Sequence, residues 1–143
     1  MRKLIFTTIA LCFLIAPAVA AQTPVIKQIS ESEFRKLVWD YTKSPAVKLQ
    51  SRLPVIIDFF ATWCRPCKEL SPSIDRLQKE YAGKLIIYRV DVDKDRALAE
   101  KMNIQAMPTL LFINTKNQKS ETVGLISYDE LKKAAIQKLQ IKK

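Results

Sequence analysis

The chain contains no histidine. Without an imidazole it cannot run Ser-His-Asp or Cys-His chemistry, and the common histidine-based metal sites are closed to it. Glycine is nearly as scarce, with 2 residues in 143, which excludes fibrous and Gly-rich repeat architectures. Cysteine numbers 3, too few for a disulfide-stapled scaffold. Internal repeats and low-complexity tracts are also missing. What remains is 48% hydrophobic and 27% charged, enough apolar surface for one domain core.

Charge is lopsided, with 24 basic against 14 acidic side chains. A surplus of this size attracts anionic partners. The Lys and Arg are scattered, however, and no aromatic residues interleave with them. The expected surface is therefore basic and soluble, with no nucleic-acid platform.

Residues 1–20 read as a targeting segment. Arg2 and Lys3 precede an uncharged apolar run from Leu4 to Ala16, and Ala18-Val19-Ala20 supplies a small-x-small cleavage pattern. A secretory signal peptide cut after Ala20, with Ala21 as the alternative site, is expected, leaving residues 21–143 as one domain. The alternative is a retained membrane anchor. The uncharged run reaches Val25, long enough to span a bilayer, but Pro17, Gln22 and Pro24 break its second half. Leu11 before Cys12 is too large for a lipoprotein signal. Export to the bacterial periplasm, or release beyond it, is the expectation. Removing Arg2 and Lys3 leaves 22 basic against 14 acidic side chains.

Export also removes Cys12, so Cys64 and Cys67 are left as one close pair. A bridge over so short a loop removes little chain entropy, so the pair is expected to be there for its chemistry.

The coarse pattern alternates strands and helices. Val25 to Ile29 alternates like a short strand. Ser30 and Glu33 form a capping box for a helix carrying Phe34, Leu37, Val38 and Tyr41, which Ser44-Pro45 ends. Residues 44–53 read as a polar connection with room for a short helical piece. Pro54 to Phe60 is a strand buried on both faces. Helical spacing through Leu70, Ile74, Leu77 and Tyr81 predicts a helix over 65–81, kinked at Pro72 and stopped by Gly83. Leu85 to Val92 is a second buried strand. A short helix over 95–102 starts near Asp95, and Thr109 to Ile113 and Lys119 to Gly124 form strands about a turn at Asn117. Ser127 and Glu130 box a last helix with Leu131, Ala135 and Leu139 on its apolar face. The order β-α-β-α-β-α-β-β-α predicts an α/β fold. Its sheet is mostly parallel with an antiparallel end, and helices cover both faces.

Trp63-Cys64-Arg65-Pro66-Cys67-Lys68 falls at a strand-to-helix junction. Free N–H groups and the positive end of the helix dipole point at Cys64 there, which favours its thiolate. Cys67 lies one turn on, within reach. Cys64 can attack a substrate disulfide, and Cys67 can then attack the mixed disulfide and release the product. Pro66 is tolerated in the first turn. Asp58, inside the apolar run, is costly to ionise. It either bonds backbone at the strand end or takes the Cys67 proton with a raised pKa.

Phe59 to Lys68 resembles the active-site stretch of the thioredoxin family, and the resemblance extends over about residues 25 to 140. Asp58 falls where the family has its buried carboxylate, Met107-Pro108-Thr109 resembles its cis-proline loop, and Val123-Gly124 its active-site glycine. The resemblance implies a thioredoxin-like fold, a central mixed sheet with helices on both faces. It implies catalysis by Cys64 as nucleophile, Cys67 as resolving thiol and Asp58 in proton transfer. Substrate would meet Trp63, Arg65, Pro66, Met107, Pro108 and Gly124. A cis bond before Pro108 would set the Met107 backbone beside Cys64, where a substrate can add as a strand; an ordinary trans Pro is the alternative. Gly124 would let another chain approach closely. Trp63 is either a substrate contact or core packing.

Three positions depart from the family pattern. Arg65 and Ala106 stand where glycines are common, and Arg89 stands where Lys is often found near the buried Asp. The Arg65 guanidinium is expected to favour the Cys64 thiolate and shift the protein toward an oxidant, unless it points to solvent. The expected activity is reduction of protein disulfides, fed by a membrane electron donor, in a monomer needing no cofactor and no metal. Oxidant or isomerase action on the same scaffold is the alternative. A non-catalytic binding module and a zinc or iron–sulfur site shared between two chains are the readings from other classes.

Overall fold

The computed structural model describes residues 25–142. The expected signal segment at 1–20, its cleavage site and Cys12 lie outside the described residues. The elements run β1 (Lys27–Gln28), α1 (Glu31–Leu37), β2 (Val55–Phe60), α2 (Arg65–Glu80), β3 (Ile86–Asp91), α3 (Arg96–Lys101), β4 (Thr109–Ile113), β5 (Lys119–Val123) and α4 (Tyr128–Leu139).

One five-stranded sheet has the order β1-β3-β2-β4-β5. Pairings β1–β3 and β2–β3 are parallel, while β2–β4 and β4–β5 are antiparallel. The antiparallel share is thus larger than the alternating pattern suggests, because β4 alone opposes its four companions. The sheet is mixed, as the family resemblance implied.

Alternation along β2 sorts the core into two layers. Val55, Ile57 and Phe59 pack with Phe34 of α1 and Leu98 of α3. Ile56 packs on the other face with Leu70, Ile74 and Leu77 of α2 and Leu131, Ala135 and Leu139 of α4. Period two places Asp58 on this second face. A polar side chain, Gln78, is buried there too. Its amide donates to the Leu85 carbonyl and accepts from the Ile87 N–H, continuing the β3 edge past the end of β1.

Both capping boxes form. Ser30 and Ser127 accept from the N–H of Glu33 and Glu130, whose carboxylates return to the cap backbone. α1 is nevertheless shorter than its apolar spacing predicts and ends at Leu37. Beyond it Asp40 accepts from the backbone N–H and hydroxyl of Thr42, a local turn that competes with helix. Tyr41 still packs on the core. The connection 44–53 holds no helical piece. α2 runs through Pro72 to Glu80, and Gly83 follows with φ of +74°. Asp95 precedes α3 without capping it; its carboxylate accepts from the Glu31 N–H and ties α1 down instead. No helix among the described residues is long and apolar enough to cross a membrane.

Candidate active site

β2 delivers the chain from the sheet interior to the start of α2. The Cys64 N–H donates to the Ala61 carbonyl at 3.1 Å, closing the turn between them. Cys64 is the N-cap of α2, with extended backbone, and its Sγ accepts from the Cys67 N–H at 3.2 Å. Pro66 sits in the first turn, where no intrahelical donor is needed. The two sulfurs are joined as a disulfide, with Cα atoms 5.3 Å apart.

The pair is recessed. Cys64 and Cys67 are buried, at 4% and 2% exposure, and pack with Ala61 and Met107. Trp63 stands beside them at 66% exposure and its Nε1 donates to Asp93 Oδ2 at 2.8 Å, so it is no part of the core.

The opposite rim comes from the far end of β4. The Met107–Pro108 bond is cis. The Gly124 N–H donates to the Pro108 carbonyl at 2.8 Å, which brings the exposed Val123 and Leu125 beside that loop. Gly124 has φ of +92°, and a Cβ built on it would meet nothing within 4 Å. Within the chain, backbone conformation is what calls for glycine here.

Asp58, two residues from the end of β2 and on the face that packs against α2, is 1% exposed. Arg89, its neighbour across the β2–β3 register, donates from Nε to Oδ2 at 2.8 Å. Oδ1 has no hydrogen-bond partner among the described residues. Burial pushes this carboxyl up to about 6, although the charge and hydrogen bond of Arg89 pull the other way. Arg89 also donates from Nη2 to Ser71 Oγ at 2.9 Å, and its guanidinium lies 4.4 Å from the centre of the Phe60 ring. A cleft of about 210 Å³ opens here, lined by Phe60, Thr62, Cys67, Lys68, Ser71 and Arg89.

Arg65 takes no part in this. Its Nε donates to Glu69 Oε1 at 3.0 Å, one turn along α2, and its side chain is 88% exposed. The expected action on the Cys64 thiolate meets a guanidinium already paired and in water. Arg89 does stand beside Asp58, as the family resemblance implied. Two contributors carry little local signal. Ser71 is marked only by standing four residues after Cys67 on the same helix face. Asp93 is one of several acidic residues after β3, and nothing in its spacing singles it out. Among the described residues no group of three or more His, Cys, Asp or Glu side chains is placed to hold a metal.

Residues 25–137 match the family described as Thioredoxin. A thioredoxin of Borreliella burgdorferi is 36% identical over 101 residues, covering 71% of this chain and 86% of that protein. The chloroplastic M-type thioredoxin of Spinacia oleracea is 34% identical over 101 residues, 71% of this chain and 50% of that protein. Among solved structures, a chloroplastic thioredoxin z superposes with a TM-score of 0.66 at 24% identity, covering 78% of this chain and 92% of that one, a likeness of fold.

Proposed function

The chain belongs to the thioredoxin family of thiol-disulfide oxidoreductases, and from that premise we propose that it is exported and reduces disulfides in exported proteins. The observation that carries this reading is a close cysteine pair at a helix start, one turn apart, with a buried carboxyl on the preceding strand that burial pushes up to about 6. The signal-type amino end, residues 1–20, supports export.

In the reduced protein the Cys67 N–H and the α2 dipole favour the Cys64 thiolate. That thiolate attacks a substrate disulfide. A bond forms from Cys64 Sγ to one substrate sulfur, the substrate S–S bond breaks, and the other sulfur leaves as a thiolate. Asp58 takes the Cys67 proton as its carboxylate becomes the neutral acid. The Cys67 thiolate then attacks Cys64 Sγ, and the second substrate thiolate departs. The product is the Cys64–Cys67 disulfide seen here, with two electrons passed to substrate. A dithiol donor, held in the membrane if the protein is exported, returns the pair to its reduced form.

Trp63, Met107 and Val123 offer substrate an apolar collar around the recessed sulfurs, and the backbone beside Pro108 offers an edge for an added strand. Arg65 and Pro66 face outward on the same rim.

Dithiothreitol-driven insulin reduction tests the activity. The intact pair should accelerate it and Cys64→Ser should abolish the acceleration. A Cys67→Ser variant carrying its own leader should trap exported proteins as mixed disulfides on Cys64. If the wild-type protein leaves insulin reduction at the dithiothreitol rate, the reductase reading is wrong. If the protein stays inside the cell, export is wrong.

A further inference from the structure

Arg89 is held on three sides, by Asp58, by the face of Phe60 and by Ser71. Ser71 in turn donates from Oγ to the Cys67 carbonyl at 2.9 Å. A chain of contacts therefore runs from the buried carboxylate, through a guanidinium and a hydroxyl, to the backbone of the second cysteine. A serine bonding back to the carbonyl four residues before it gives a helix little, and it bends many. Here the same oxygen has a second task, because it also accepts from Arg89.

We infer that Ser71 is a positioning residue for the exchange reaction: its hydroxyl anchors the Arg89 guanidinium to α2 and against Asp58, and thereby tunes proton transfer between Asp58 and Cys67. This rests on the reductase reading of the site.

The physical reason lies in the two ends of the ion pair. Asp58 is buried, whereas the Arg89 side chain is 24% exposed along the cleft. A guanidinium does not lose its proton, so it can weaken its hold on Asp58 only by moving. The cleft gives it water to move into. Ser71 closes that option by fixing Nη2 while Nε stays on the carboxylate. The groups facing Asp58 are few. β3 supplies Arg89 and β4 sets Leu110 across the ladder, while Cys67 and the exposed Lys68 of α2 line the cleft beside Arg89. α4 contributes Leu131 and Ala135 to that face, neither charged. Arg89 is thus the main counterweight to burial, and its placement governs how readily Asp58 ionises.

The test is a carbon NMR titration of the Asp58 carboxyl in the reduced protein, with the pH profile of insulin reduction alongside. Ser71→Ala should raise the Asp58 midpoint by about half a pH unit, the size expected for losing one charge-supporting hydrogen bond. The pH profile should move the same way. Ser71→Thr keeps the hydroxyl and should titrate like wild type. Alanine is the better helix former, so the fold should hold. Should it not, Ser71→Thr against Ser71→Val compares hydroxyl with methyl at equal shape. A purely structural serine would lower the melting temperature and leave the midpoint in place, and that result overturns the inference. So does an equal shift in Ser71→Thr and Ser71→Ala. The titration needs no substrate, so the two readings fail separately. Inactive wild type with a responsive Asp58 overturns the reductase reading, while active wild type whose Asp58 ignores Ser71→Ala overturns this one.

Discussion

Asp58 and Arg89 meet across adjacent strands at 2.8 Å, yet only one carboxylate oxygen is engaged and the other is buried without a partner among the described residues. A half-satisfied buried carboxylate is a poor structural element. It is well suited to a proton that comes and goes. Burial outweighs the guanidinium, and the neutral acid is the form the interior favours.

Replacing Asp58 should therefore separate stability from activity. The Asp58 carboxyl titrates near 6 in the fold against an ordinary 3.8. Between these values the folded chain holds a proton that the unfolded chain releases. Its contribution is fully present below the lower value and is lost as pH rises through the upper one, by at most about 3 kcal/mol. In urea unfolding, Asp58→Asn should gain about 1–3 kcal/mol over wild type near pH 7.5 and far less near pH 4. Its insulin reduction should slow by about tenfold or more. Parallel stability profiles in the two proteins would remove Asp58 from the titration.

The pairing of Arg65 with Glu69 predicts little effect on redox poise. The guanidinium is exposed and already bonded to a carboxylate, so its field at the sulfurs is screened. Arg65→Gly should move the reduction potential of the Cys64–Cys67 pair by no more than about 15 mV, measured against glutathione. A much larger change toward the reducing side would show that Arg65 acts on the thiolate after all.

Trp63 should matter to large substrates only. Its ring is exposed and braced by Asp93. Trp63→Ala should cost under about 1 kcal/mol of stability, as surface changes usually do. The KM for insulin should rise by about fivefold or more, with kcat/KM for a small aromatic disulfide unchanged. Equal losses on both substrates would place Trp63 in support of the cysteine geometry.

Gly124 tests backbone strain against open space. An added methyl meets nothing within 4 Å among the described residues, but φ of +92° is a region that side chains rarely adopt. Gly124→Ala should destabilise by about 1–2 kcal/mol, or roughly 3–8 °C in Tm. Unchanged melting with a loss confined to protein substrates would mean that close approach of substrate, not φ, requires glycine.

Much of this architecture was legible because its causes are local. The run Val55 to Phe60 marks a doubly buried strand, and Ser30 with Glu33 and Ser127 with Glu130 mark two helix starts. The spacing of Cys64 and Cys67 puts one thiol at a helix mouth and the other a turn behind it. The end of α1 was not legible. Apolar spacing through Tyr41 mimics a longer helix, and the side chain of Asp40 outcompetes it. The direction of β4 was also hidden: alternating elements fit a parallel β4 with only β5 reversed by the hairpin, whereas β4 itself runs antiparallel to β2.

By itself the amino-acid sequence determined the reactive pair, the apolar layers and the presence of a carboxyl inside them. These follow from periodicity and from residue chemistry a few positions apart. The family resemblance placed Arg89 near that carboxyl and the Pro108 loop beside Cys64; only the tertiary structure decided that Ser71 ties the Arg89 guanidinium to α2 and that Asp93 braces Trp63. Those two contacts join residues 18 and 30 positions apart. Their energies depend on burial and orientation, which no local pattern encodes.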